Sequence, residues 1–134
     1  MTAIELDHRI GIVRFGRAVD FDTAMGDLLR ITANSAFIGS EAFIWDLSKS
    51  TITLNTSEMR ELAKRLRNAV PPIERPRKVA LIAADACTRS LAMIMRALME
   101  KDSQSEYQLF EHERAARTWL LVRKPRTGEQ PAVP

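Results

Sequence analysis

Two short stretches limit the fold more than anything else in this chain of 134 residues. Ala42–Leu47 reads AFIWDL and Lys78–Ala84 reads KVALIAA, each almost unbroken in apolar side chains. A strand with one wet face alternates apolar and polar residues, whereas a strand covered on both faces has no need to. Each stretch is followed by residues of helical periodicity. Both are therefore predicted as interior strands of a sheet covered by helices, and the fold class as α/β.

The flanking sequence extends this pattern. Ala3–Leu6 and Arg9–Gly16 predict two short strands with a turn near Asp7-His8. Phe21, Ala24, Met25, Leu28 and Leu29 follow helical spacing, with Asp20 or Asp22 as the N-cap, Asn34 and Ser35 at the end and a loop at Gly39-Ser40. The clearest helix is TSEMRELAKRLRNAV. It turns Met59, Leu62, Ala63, Leu66 and Val70 inward and leaves Arg60, Glu61, Lys64, Arg65 and Arg67 in water. Its cap is Thr56, or Asn55 with Glu58 three residues on, and Pro71–Pro76 stops it. Asp85 caps a further helix whose core face is Leu91, Ile94, Met95 and Leu98, widened by Met93, Ala97 and Met99. Tyr107–Phe110 is a last strand, and EHERAARTWLLV a last helix with Ala115, Ala116, Trp119 and Leu120 inward. The predicted order is β-β-α-β-α-β-α-β-α, a mixed, largely parallel sheet of about five strands with about four helices. Residues 1–123 form a single domain in this reading, and 124–134, with three prolines, a disordered tail.

Composition narrows the function classes. Apolar residues make up 46% and charged residues 28%, an ordinary globular balance. No apolar run approaches the ~20 residues that span a membrane. MTAIELDHRI has acidic residues and no apolar segment, so a signal peptide is not expected. Cys87 is the sole cysteine, which rules out an internal disulfide and makes the cytoplasm the expected location. Residues 1–59 carry 5 Lys/Arg against 8 Asp/Glu, and residues 60–134 carry 15 against 9. No aromatic-interleaved basic stripe accompanies this excess, and nucleic-acid binding is not expected.

The motifs FIWDL followed by NTSEMRELAKRL, then KVALIAADACTRSLAMIMRAL, then Phe110 with Ala116, Trp119 and Leu120, run in the same order in another group of proteins. Over residues 3–122 the chain resembles the SpoIIAA-like fold family, which includes the STAS domains of anti-sigma-factor antagonists, and especially its small STAS/SEC14-like members. The resemblance implies a SpoIIAA-like sheet and a non-catalytic regulatory module that contacts a protein partner or forms a homodimer. Its SEC14-like side implies the alternative of a carrier for a small apolar ligand or lipid. In the antagonists a serine in an Asp-Ser-x-Gly turn, at the start of the helix after the central strand, is phosphorylated. That place falls on NTSE, making Thr56 and Ser57 the candidate hydroxyls, with Asn55 where the aspartate stands and Glu58 where the glycine stands.

Four groups of residues are candidates for a site. Thr56 and Ser57 sit where a helix N-terminus would favour a phosphate, although the simpler reading is a connector whose hydroxyl caps the helix. Asp85, Cys87 and Arg89 fall after an interior strand, and Cys87 in a first helical turn is the starting point for a thiol enzyme, a third and lesser reading. Asp46 ends the other interior strand, as a base or as an acceptor for loop amides. Met93, Met95 and Met99 offer an adaptable apolar surface for a partner or ligand. His8 and His112 lie far apart without ligand spacing, and the glycines are scattered singly, so neither a metal nor a cofactor is expected.

Overall fold

The computed structural model describes residues 2–69, 77–100 and 105–122. The expected proline stop at Pro71–Pro76, Val70 before it, and the expected tail from residue 124 lie outside the described residues. In chain order the elements are β1 (Ala3–Asp7), β2 (Ile10–Arg14), β3 (Ala18–Val19), α1 (Phe21–Ala33), α2 (Ser35–Ile38), β4 (Ala42–Asp46), β5 (Thr51–Ile52), α3 (Thr56–Ala69), β6 (Lys78–Ile82), α4 (Ala86–Glu100), β7 (Glu106–Phe110) and α5 (Glu113–Leu121). A five-stranded sheet takes the order β1-β2-β4-β6-β7. The β1–β2 hairpin is antiparallel, turning at His8 with φ 56°, and every other neighbour is parallel. β3 and β5 form a separate two-stranded parallel pair. The α/β class and the mixed sheet agree with the sequence expectation.

The register explains the unbroken apolar runs. Phe43 pairs with Val79 and Trp45 with Leu81 on one face, while Ile44 pairs with Ala80 on the other. The first face carries Val13, Phe43, Val79, Leu81 and Tyr107 and is covered by Ile31 of α1, Ala63 and Leu66 of α3, and Ala92 and Met99 of α4. The second carries Ile12, Ile44, Ala80 and Ile82 and is covered by α5 through Ala116 and Trp119. Each parallel crossover steps the same way across the sheet. With one hand of crossover, α1, α3 and α4 must all land on one face. Among the described residues no strand follows α5, and it closes the other face.

Several helical positions depart from the periodicity. Leu29 is 66% exposed, and Ile31 and Asp27 take the inward places on α1. Asp27 can be buried because Thr2 Oγ1 donates to it at 2.6 Å. Ile94 is exposed and α4 buries Thr88, Ala92 and Met99 instead, a rotation of its contact stripe. Ala115 is exposed while its neighbour Ala116 is fully buried.

Phe37, on the short unanticipated helix α2, is among the largest fully buried side chains. Asn34 caps α2 by accepting the Phe37 amide at 3.0 Å. The Phe37 ring packs 5.1 Å from that of Phe43 and lies directly over Gly11 of β2. A Cβ on Gly11 would stand 2.8 Å from two Phe37 ring carbons and 2.9 Å from Ser40 Oγ. Gly11→Ala is therefore expected to destabilise the fold by about 1–3 kcal/mol, the usual result of overpacking. Gly26→Ala, where nothing lies within 4 Å in mid-helix, should instead stabilise it by about 0.5–1 kcal/mol. Urea unfolding of the two variants measures both, and equal effects would contradict the packing described.

Candidate functional site

In an open sheet of parallel strands the loops leaving the carboxyl ends form the usual site for recognition. Here the strand ends are held level by backbone bonds from Phe15 N to Asp46 O, Leu47 N to Ile82 O and Ala83 N to Phe110 O, at 2.8–2.9 Å. Above them Ser50, buried, donates through Oγ to Gly16 O at 2.7 Å, and Thr51 N donates to Arg17 O at 2.6 Å. These bonds tie the loop after β4 to the loop after β2. An open polar cleft of about 420 Å³ lies beside them, lined by Arg14, Gly16, Arg17, Asp46, Ser48 and Lys49.

Asp46 accepts from Arg14 Nη1 at 2.9 Å and from the Ser48 amide at 2.9 Å. It is the loop-amide acceptor of the two roles considered, and an ion-pair partner as well. Arg14 also donates to Glu5 at 2.5 Å and to Glu113 at 2.6 Å. Glu113 in turn accepts from Arg117 at 2.8 Å, and Arg117 reaches Asp7 at 2.6 Å. This chain of charges fastens the start of α5 to β1, β2 and β4. The hydrogen bond from Arg14 holds the Glu113 carboxyl below the usual carboxylate range, and that from Glu113 holds Arg14 above its ordinary value. Arg14, Glu113 and Arg117 were not singled out from sequence. The available signal was Arg14 and Asp46 at the ends of two strands, which the parallel register sets side by side.

Asn55, not Thr56, caps α3. Glu58 N donates to Asn55 Oδ1 at 2.8 Å and Asn55 N donates to Glu58 Oε1 at 3.0 Å, a reciprocal capping box. Thr56 and Ser57 are exposed first-turn residues, their hydroxyls left out of the cap. Asp85 caps α4, accepting Thr88 N and Thr88 Oγ1 at 2.8 Å each, and the Thr88 amide holds its carboxyl below the usual range. Cys87 is exposed in the first turn of α4. Arg89 Nη1 lies 2.9 Å from Glu111 Oε1, an ion-pair distance without hydrogen-bond alignment. Asp46, Thr56, Ser57, Asp85, Cys87 and Arg89 thus all belong to the carboxyl edge. The methionines do not form one surface: Met99 is in the core, Met95 is half-buried in the helical layer, and Met93 is 59% exposed.

His8 turns the β1–β2 hairpin and His112 stands at the N-cap position of α5, so the topology places them at opposite edges of the parallel strands. Among the described residues no group of three or more His, Cys, Asp or Glu is placed to hold a metal ion. No described helix is long and apolar enough to cross a membrane. No family model matches the chain, and no curated protein matches it.

Two outcomes test this geometry. Asn55→Ala should cost about 1 kcal/mol through loss of the cap, while Thr56→Val leaves stability nearly unchanged; urea midpoints distinguish them. Glu113 is bound in the fold as the carboxylate, so its contribution is complete above its unfolded value of 4.5 and is lost as pH falls through the lower folded value. The stability gap between wild type and Glu113→Gln should accordingly be widest near neutrality and shrink below pH 4.5. A gap that stays constant down the acid limb would remove the Arg14–Glu113 pair from the account.

Proposed function

We propose that this protein is a non-catalytic recognition module of the SpoIIAA/STAS type, working in the cytoplasm by protein contact at the carboxyl edge of its sheet, with a second copy of the chain among the partners it admits. The observation that carries this reading is the state of the polar groups at that edge. Asp46, Glu58, Asp85, Arg89 and Glu113 are each engaged by a helix cap or an ion pair within the fold. What remains outward there is a set of small groups, Ser48, Thr56, Ser57 and Cys87, with the exposed cations Arg17 and Lys49 beside them, on well-braced loops and helix starts. That is a surface suited to contact rather than to proton transfer. The sequential order of the parallel strands and the position of Asn55–Glu58 after β4 support the family resemblance.

A switch by phosphorylation at Thr56 or Ser57 belongs to this reading. The phosphate would meet the helix N-terminus favourably. It would also stand beside the Glu58 carboxylate already bound to the Asn55 amide, so its effect would be to loosen the capping box. A lipid carrier has less support, because the apolar cavity that α1, α3 and α4 line among the described residues is about 90 Å³, below the ~300–1,000 Å³ typical of ligand pockets. The thiol-enzyme reading is supported by the exposure of Cys87 alone.

Cys87 supplies the test, since it is the sole cysteine and lies on the proposed surface. Alkylation should be several-fold slower in freshly lysed host cells, where a partner is present, than in the purified protein at the same reagent concentration. Denaturant added to the lysate should abolish the difference. Equal rates in lysate and pure protein would contradict recognition at this edge.

A further inference from the structure

The helical layer holds an apolar cavity, about half open at its mouth, that the recognition surface does not use. It lies where α1, α3 and α4 converge on the sheet, with Trp45 and Leu47 as its floor and Leu28, Met59 and Met95 among its walls. Its volume is about 90 Å³ and its lining is apolar, with the Trp45 indole N–H as its one polar side-chain group and no charged residue. The two-residue pair β3–β5 lies across it, contributing Val19 and Ile52.

From this geometry we propose that the cavity is a binding site for a small uncharged apolar molecule no larger than a single aromatic ring. Water in so apolar a site finds a single side-chain partner, the Trp45 indole N–H, so an apolar occupant displaces it at little cost. An empty site forfeits the contacts of every lining atom, which an apolar occupant restores. A related cavity of about 150 Å³ in another protein admits benzene and xenon. Here benzene is the upper limit, reached as the flexible side chains of Met59 and Met95 yield. Ionic ligands are excluded by a lining without charged residues, and lipids by the size. This inference is independent of the recognition reading, and isolated protein tests it with no partner present.

Trp45 lines the cavity and Trp119, the other tryptophan, packs against Phe110 on the opposite face of the sheet. In a Trp119→Phe background, Trp45 emission reports the cavity alone. Titration with benzene should give a saturable shift in that emission and a rise in melting temperature, and xenon under pressure should compete. Ala24→Leu and Ala92→Leu, which project new side chains into the cavity from α1 and α4, should each abolish both responses while the protein still melts cooperatively. Ala24 is only half-buried, so its variant decides the matter should Ala92→Leu fail to fold. A change in emission that rises linearly without saturation, or one that persists in Ala24→Leu, would overturn the proposal.

Discussion

The structure depends on the in-register parallel pairing of β4 between β2 and β6. Ile12, Ile44 and Ala80 align on one face, and Val13, Trp45 and Leu81 on the other. An alignment that is apolar on both sides cannot face water on either. It requires cover above and below, and the chain supplies three long helices to one face and α5 to the other. Slipping β4 by one residue would exchange the two faces and carry Asp46 past the end of β2. Arg14 and Asp46, paired at the last rung of the ladder, lock that register with an ion pair.

The same pairing decides where chemistry can sit. The interior of each strand is occupied by packing, so polar groups collect at the strand ends. At the carboxyl edge they are divided between two tasks. Arg14, Asp46 and Glu113 join the start of α5 to the hairpin, while Asn55, Glu58 and Asp85 start α3 and α4. At the amino edge Lys78 Nζ lies 5.0 Å over the Trp119 ring and donates to Trp119 O at 2.9 Å, closing the far end of α5. The result is a scaffold in which Arg14, Asp46, Glu58, Asp85 and Glu113 hold loops and helix starts in place. Rigid loops with small outward groups are the arrangement on which the recognition proposal rests.

Much of the scaffold was legible from local sequence. The two interior strands showed because burial on both faces removes alternation, and the caps at Asp85 and at the pair Asp20 or Asp22, of which the fold uses Asp20, showed because a carboxylate before an apolar periodic run has few other uses. What escaped depends on partners distant in the chain. Asp27 is buried beside a hydroxyl 25 residues away, and Leu29 is exposed because the buried stripe of α1 runs through Asp27 and Ile31. Phe37 lies in four residues of helix, too few for periodicity, and its place is set by the bare backbone of Gly11. At the site, Asp46 was singled out but Arg14 was not, since their meeting is a consequence of register. Thr56 and Asn55 were equally good caps by composition, and only the backbone path between β5 and α3 chose Asn55. The methionines of α4 were read as one apolar surface, and they divide because the helix turns a different stripe to the sheet.

The most direct test of the central pairing is amide hydrogen exchange, resolved residue by residue. The account predicts that the amides of Phe43–Asp46 and Val79–Ile82 are the slowest in the protein and open only with global unfolding, at one common free energy. Either segment exchanging on the timescale of the loop at Ser48–Ser50, while the rest of the sheet stays protected, would show that it is not an interior strand. The sheet order, the carboxyl-edge site and the cavity beneath α1, α3 and α4 would then have to be given up together.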